Sequence, residues 1–388
     1  MNQKKQYLIV FASLRSGKEF LCRSLSMHQE VSVQHEPFMY YFKLCRYLYH
    51  RDILKDNFNL DQPMWTEFCC KAKYKAGFIE SYPDLFFSKS DIDELKKLTI
   101  HQQICAGEGR APKIIPFLDR LKHGSAVEVF EELLNTLSIA YNKKSLRYIG
   151  FSEAWCDDFI FPLLKQFEKN IKCIHIVRDP RAIVASRNAS KRDYRGKYPI
   201  LFLIRHWRKT ASYSIINRDN PSYMMVRLED IYSSPETWIK KICDHLNIEF
   251  TEKLLDFESF VNGEGKKWEP NTNFDRKRQF PASSHGIWEE VLKDSEKGFI
   301  EWLCKPEMDY LGYRKSIEDY SLNDLTAYVE NKEEIKEWLK PYDLSVNEKQ
   351  ISIEIVRRNL FEFDGYISED LKDYLFVNSK VYNVLKGC

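Results

Sequence analysis

Two short stretches of this chain gather the residue types that hold phosphate-like anions. The first is Ser13-Leu14-Arg15-Ser16-Gly17-Lys18-Glu19-Phe20. It follows the apolar run Tyr7–Ser13 and precedes residues with helical spacing. A glycine turn there would deliver backbone N–H groups and the positive end of a helix to an anion. Arg15 and Lys18 add two cations. The second stretch is Ile174-His175-Ile176-Val177-Arg178-Asp179-Pro180-Arg181-Ala182-Ile183-Val184-Ala185-Ser186-Arg187. Apolar residues lead to Arg178, Asp179 suits a helix cap, and Pro180 suits the first helical turn. Arg178 and Ser186 are eight residues apart, so a guanidinium at a strand end and a hydroxyl two helical turns on can meet at one phosphate. The planar fork of arginine fits such a group.

The first stretch also invites comparison with the phosphate loop G-x-x-x-x-G-K-[ST]. Residues 12–19 read A-S-L-R-S-G-K-E, with Ala12 in place of the first glycine and Glu19 in place of the magnesium-binding hydroxyl. A carboxylate there fits a nucleotide triphosphatase poorly, although a kinase-type reading stays open.

If the acceptor is a hydroxyl, a general base is needed, commonly contributing about 10²–10⁴-fold. Glu36, in His35-Glu36-Pro37, is the first candidate, and Glu153, in Gly150-Phe151-Ser152-Glu153, the second. His35 and His101 are weaker ones. The basic run Arg187–Lys209 reads either as an extension of an anion site or as a solvated helical face.

These residues need a frame. Continuous apolar runs at Tyr7–Ser13 and Ile171–Val177 suit strands buried on both faces of a parallel sheet. Val31–Gln34, Leu146–Phe151 and Tyr223–Leu228 add three more. Helices are expected over Lys18–Met27, Ala126–Tyr141, Phe159–Phe167, Arg181–Ser190, Phe202–Ile216 and Pro235–Leu246. The alternation gives an α/β fold, a phosphate-loop-like central parallel sheet flanked by helices, with ligands at the carboxyl ends of the strands. Residues 40–125, rich in Tyr, Phe and Lys, read as short helices with irregular joins that build the acceptor side. We expect one domain over residues 1–315. A helical C-terminal appendage follows over 316–388, with charged helical segments such as LNDLTAYVENKEEIKEWLK.

Composition sets limits. The 388 residues carry 59 basic and 57 acidic side chains, a net charge of +2 that argues against nucleic acid as partner. The charge is uneven: residues 316–388 hold 15 acidic and 9 basic side chains, leaving 50 basic and 42 acidic before them. The ten cysteines show no CxxC or Cys/His metal spacing. They read as thiols of a reducing compartment, and no metal is expected. No segment approaches the roughly 20 apolar residues of a transmembrane helix, so a cytoplasmic location is expected. Nothing fixes the oligomeric state.

V-R-D-P-R-A-x-x-x-S-R after a strand, with an R-S-G turn near the N-terminus, resembles the sulfotransferases that use 3′-phosphoadenosine 5′-phosphosulfate, above all their carbohydrate and bacterial branches. Leu14–Phe38 is similar to the family's R-S-G-S-S-F-L stretch with its E-P element. Met225–Ile248 resembles its V-R-Y-E-D-L region, and Trp288–Tyr313 its closing segment. The resemblance implies that Arg15, Ser16, Gly17, Lys18, Glu19 and Phe20 bind the 5′-phosphosulfate and that Arg178 and Ser186 hold the 3′-phosphate. It also implies a flexible loop over the nucleotide at Arg276-Lys277-Arg278 and Ser283-Ser284-His285. Arg15 and Lys18 would stabilise the leaving group, and Glu36 or Glu153 would serve as base toward a carbohydrate or small-molecule hydroxyl. One departure stands out: the family places Ser or Thr where this chain has Lys18 and Glu19. A relative that binds the nucleotide without turning it over is the alternative that Glu19 keeps open.

Overall fold

The computed structural model describes residues 5–57, 60, 72–105, 110–187, 196–270, 286–342, 345–362 and 367–386. Five parallel strands form its centre: β1 Gln6–Ala12, β2 Val31–His35, β5 Tyr148–Glu153, β6 Ile171–Val177 and β7 Tyr223–Arg227, in the order β2-β5-β1-β6-β7. The apolar run of β1 is explained by its central place. Leu8, Val10 and Ala12 face one side and Ile9 and Phe11 the other, all sealed from solvent. Leu8 and Val10 pack with Leu21 and Leu25 of α1 (Lys18–Ser26) and with Ile239 and Ile242 of α10 (Pro235–Leu246). Ile9 and Phe11 pack with Phe130 and Leu133 of α5 (Ala126–Ala140) and Leu163 of α6 (Ile160–Phe167). A third cluster joins α7 (Pro180–Ala185), α8 (Ile200–Ile216) and α12 (Asp294–Leu311) with Val177 at the carboxyl end of β6.

The chain leaves β1 toward β2 on one side and later returns to β6 and β7 on the other. The carboxyl end of β1 is therefore the point where the winding reverses, the place at which such sheets hold ligands. The register brings Phe11 opposite Glu153, His35 opposite Ser152 and Val177 opposite Arg227, so five strand ends and the turns beyond them share one edge.

Residues 40–125 are more helical than their composition suggests. They hold α2 (Met39–Leu48), α3 (Ala72–Ser81) and the 17-residue α4 (Lys89–Cys105), with a two-residue ribbon of β3 (Phe86–Phe87) and β4 (Gly124–Ser125). The apolar period that announces a helix fades along α4 because its buried face runs from Ile92 and Leu95 to Thr99, Gln102 and Gln103.

Residues beyond 315 form α13 (Leu322–Ala327), α14 (Glu348–Glu362), α15 (Glu369–Lys372) and α16 (Ser379–Lys386). The helix expected across LNDLTAYVENKEEIKEWLK stops at Ala327. Beyond it Lys197 N–H donates to the Glu334 carbonyl at 2.6 Å and Lys336 N–H to the Lys197 carbonyl at 3.1 Å, backbone groups a continuous helix would have used itself.

The same packing corrects both readings of the basic run. Arg187 pairs with Glu296 at 2.8 Å and Glu330 at 3.0 Å, Arg205 with Glu354 at 2.6 Å, Arg208 with Glu307 at 2.9 Å and Glu354 at 3.4 Å, and Lys209 with Asp158 at 3.0 Å. Arg187, Arg208 and Lys209 are buried. These cations are neither a solvated face nor an anion site. They neutralise carboxylates, two of them, Glu330 and Glu354, on the acidic C-terminal segment. Lys191, Arg192 and Arg195 lie outside the described residues.

Candidate active site

The first turn is built by two left-handed residues. Arg15 has φ 64° and Gly17, the N-cap of α1, has φ 75°. A Cβ on Gly17 would stand 2.6 Å from Leu228 Cδ1, so conformation and space both call for glycine. Ser13 and Ser16 hydroxyls share a hydrogen bond at 2.5 Å inside the turn, and no side chain caps α1. The first amides of α1 therefore have no partner within their helix and point toward the strand edge. Phe20 faces the other way, into an aromatic group with Tyr232, Phe257 and Phe260.

The second motif reaches this turn directly. Arg178 Nη1 donates to the Arg15 carbonyl at 2.6 Å. Burial, then the neighbouring Arg178 charge, pulls the Arg15 guanidinium down to about 10, so Arg15 remains a cation at neutral pH. Asp179 caps α7 by accepting from Arg181 N–H at 2.8 Å, and Arg181 lies over the Trp288 ring at 3.8 Å. Glu229, which the sequence reading did not single out, ties three motifs together. Its Oε1 accepts from Asp179 N–H at 2.9 Å and its Oε2 from the Tyr313 hydroxyl at 3.0 Å. Ser186 follows α7, which ends at Ala185 rather than Ser190, and its hydroxyl donates to the Ala182 carbonyl at 3.0 Å. Ser284 and His285, with Arg276, Lys277 and Arg278, lie outside the described residues.

Beside the first turn stands Glu36, at φ 47° just past β2. Left-handed conformation at a non-glycine residue costs of order 1–3 kcal/mol and gathers at functional sites. Lys18 Nζ lies 2.6 Å from Glu36 Oε1 and Arg110 Nη2 3.2 Å from Oε2. Burial pushes this carboxyl up, but Lys18, His35 and Arg110 outweigh it and hold it well below the usual carboxylate range. Glu153 is its counterpart. Fully buried, it accepts from Phe38 N–H at 2.6 Å, and burial followed by the charge of Glu36 pushes it up to about 8. Two adjacent carboxyls thus stand in opposite protonation states at neutral pH, an arrangement that separates acid–base roles.

His35 is buried, shares a hydrogen bond with the Ser152 hydroxyl at 3.0 Å, and is pulled by burial down to about 4, which leaves it neutral. His101 is exposed beside Cys105 Sγ at 3.4 Å. Glu19 answers its own puzzle: it turns to Arg23 at 3.3 Å and toward His35 Nε2 at 3.8 Å. Among the described residues no cluster of three or more His, Cys, Asp or Glu is placed to hold a metal ion, and no helix is long and apolar enough to cross a membrane.

A profile described as "Sulfotransferase family" matches residues 159–252, which hold α6, the whole second motif and β7. Together with the relatives below, this match supports a member of the sulfotransferase family. The same findings support a transferase. Carbohydrate sulfotransferase 1 of Danio rerio is 21% identical to this chain over 360 residues, covering 81% of this chain and 79% of that one. Carbohydrate sulfotransferase 5 of Homo sapiens is 21% identical over 369 residues, covering 84% and 81%. Among solved structures, the sulfotransferase domain from the curacin biosynthetic pathway aligns at TM-score 0.43 and 14% identity, over 81% of this chain and 99% of that one.

Proposed function

We propose that this sulfotransferase moves a sulfuryl group from 3′-phosphoadenosine 5′-phosphosulfate to a hydroxyl of a carbohydrate or small-molecule acceptor. The observation that carries the donor assignment is the contact of Arg178 with the Arg15 carbonyl. It joins two anion-binding turns at the winding reversal and keeps two guanidinium groups close, an arrangement that a multiply charged anion between them would stabilise.

Sulfuryl transfer needs in-line placement of acceptor oxygen and leaving phosphate oxygen, with stabilisation of the charge that grows on the latter. The amides opening α1, with Arg15 and Lys18, hold the 5′-phosphosulfate and take up that charge. Arg178 binds the 3′-phosphate, joined by the Ser186 hydroxyl once it rotates from the Ala182 carbonyl. Glu36, ionised at the strand edge, receives the acceptor's proton. Glu153, neutral at pH 7, cannot take a proton and positions the Glu36-Pro37-Phe38 turn through the Phe38 amide. The pairing of Glu19 with Arg23 keeps its carboxylate occupied along α1, which supports an active donor site rather than a silenced one.

Titration calorimetry with adenosine 3′,5′-bisphosphate tests the donor site, and a screen of hydroxyl acceptors with labelled donor tests the transfer. Micromolar binding is expected. A folded sample that gives no heat at millimolar nucleotide would overturn the assignment.

A further inference from the structure

The two oxygens of Glu36 are held by cations from opposite sides of the site. Lys18, on the donor turn, takes Oε1, and Arg110, from the acceptor-side stretch, takes Oε2. Arg110 escaped the sequence reading because it belongs to no motif. Its placement is nonetheless built. Gln103 Oε1 accepts from the Ala111 amide at 2.8 Å while its Nε2 donates to the Pro37 carbonyl at 3.4 Å, and Gln102 Nε2 donates to the Glu36 carbonyl at 3.2 Å. On its other side the Arg110 carbonyl is approached so closely by Gly263 that a Cβ there would lie 1.4 Å from it. Helix α4 thus fixes the backbone of the base and that of the arginine with adjacent glutamines.

Lys18 cannot serve both Glu36 and a phosphosulfate at full strength, because one ammonium at 2.6 Å from a carboxylate has to give up that contact to meet a new anion. We propose that Arg110 is the positioning residue of Glu36: it retains the carboxylate at the strand end when the donor draws Lys18 away. Its second amino group, Nη1, is buried and has no hydrogen-bond partner among the described residues. When Oε1 is released, that N–H is available to complete a two-pronged arginine–carboxylate pair, a geometry lysine cannot offer. The base therefore becomes available only after the donor has arrived, without losing its place. This inference rests on the donor assignment above.

The test needs no acceptor. Adenosine 3′,5′-bisphosphate is titrated into the 388-residue protein and into Glu36→Gln, Arg110→Gln, Arg110→Lys and the Glu36→Gln/Arg110→Gln double variant, each first shown to melt cooperatively. Glu36→Gln frees Lys18 and tightens binding, and Arg110→Gln leaves Glu36 to Lys18 alone and weakens it, each by about 3- to 10-fold. With Glu36 already neutral, Arg110→Gln has no further effect. Arg110→Lys recovers part of the loss, since it keeps the charge without the fork. An equal loss in both backgrounds, or no tightening in Glu36→Gln, would mean that Arg110 only braces the loop or meets the nucleotide itself, and would overturn the inference. Wild-type protein that does not bind would sink the donor assignment and this proposal together, whereas binding with the wrong pattern sinks this proposal alone.

Discussion

The Nη1 of Arg178 donates to the backbone carbonyl of Arg15 at 2.6 Å, which fastens the second anion motif to the first across 163 residues of sequence. A lysine at 178 would keep the charge but lack the fork needed to hold that carbonyl and a phosphate together. Hydrogen bonds to charged groups contribute about 1.5–3 kcal/mol, so Arg178→Ala is expected to weaken adenosine 3′,5′-bisphosphate binding by about 10- to 100-fold. Arg178→Lys should fall between that variant and wild type. Calorimetric titration of the three proteins ranks them, and equal affinities would remove Arg178 from the site.

Gly17→Ala tests the turn itself. The added methyl meets Leu228 Cδ1 at 2.6 Å and is forced into φ 75°, at a cost of order 1–3 kcal/mol. Leu228→Ala in the same protein relieves the clash but not the backbone strain. The double variant should therefore recover part of the melting temperature and little of the nucleotide affinity, which depends on where the α1 amides point. Thermal melting and titration on the same samples separate the two effects.

The frame was readable because its physics is local. A strand buried on both faces announces itself as an unbroken apolar run, and β6 was placed to the residue from Ile171–Val177 alone. Proline at the first helical position marked α10 just as well. The two turns proposed to bind anions were readable as turns for the same reason, since Arg15, Gly17 and Arg178 sit at junctions of strand and helix. What escaped was long-range pairing. Arg110 and Glu229 look like ordinary surface residues in the sequence, and only the fold sets one against Glu36 and the other under Asp179. The basic run misled because partners such as Glu330 and Glu354 lie more than 140 residues downstream. One signal was present: the acidic excess after residue 315 matches the basic excess before it, and pairing the two would have predicted the contact.

Glu354 makes that contact testable. With no exposure to solvent, it pairs with Arg205 at 2.6 Å, Arg208 at 3.4 Å and Arg357. Burial raises its carboxyl, but these three cations outweigh burial and bring it down to about 2. Removing one partner from a buried ion cluster typically costs about 3–5 kcal/mol, because the remaining charges stay desolvated and unmatched. Glu354→Gln should therefore lower the urea midpoint of the whole chain. Since the native pKa lies below the ordinary 4.5, wild type holds this stability above that value and loses it as pH falls toward 2. The gap between variant and wild type should close over that window. A midpoint within error of wild type at pH 7 would show that α14 docks without this cluster.

Glu153 has the opposite sign. Its carboxyl, raised to about 8 by burial and by the neighbouring Glu36 charge, keeps a proton in the native state that the unfolded chain releases near 4.5. Between those values the native protein binds more protons than the unfolded one, so stability from this group falls as pH rises through the window. Glutamine at 153 cannot ionise, and its amide oxygen still accepts from the Phe38 amide. Glu153→Gln should melt near wild type at pH 5 and progressively above it from pH 6 to pH 9. The Glu36-Pro37-Phe38 turn keeps its anchor, so transfer activity at pH 7 should survive, whereas Glu36→Gln should lose the general-base contribution of about 10²–10⁴-fold. The two substitutions therefore separate the positioning carboxyl from the reacting one. Loss of activity in Glu153→Gln at pH 7 with Glu36→Gln unaffected would exchange their roles.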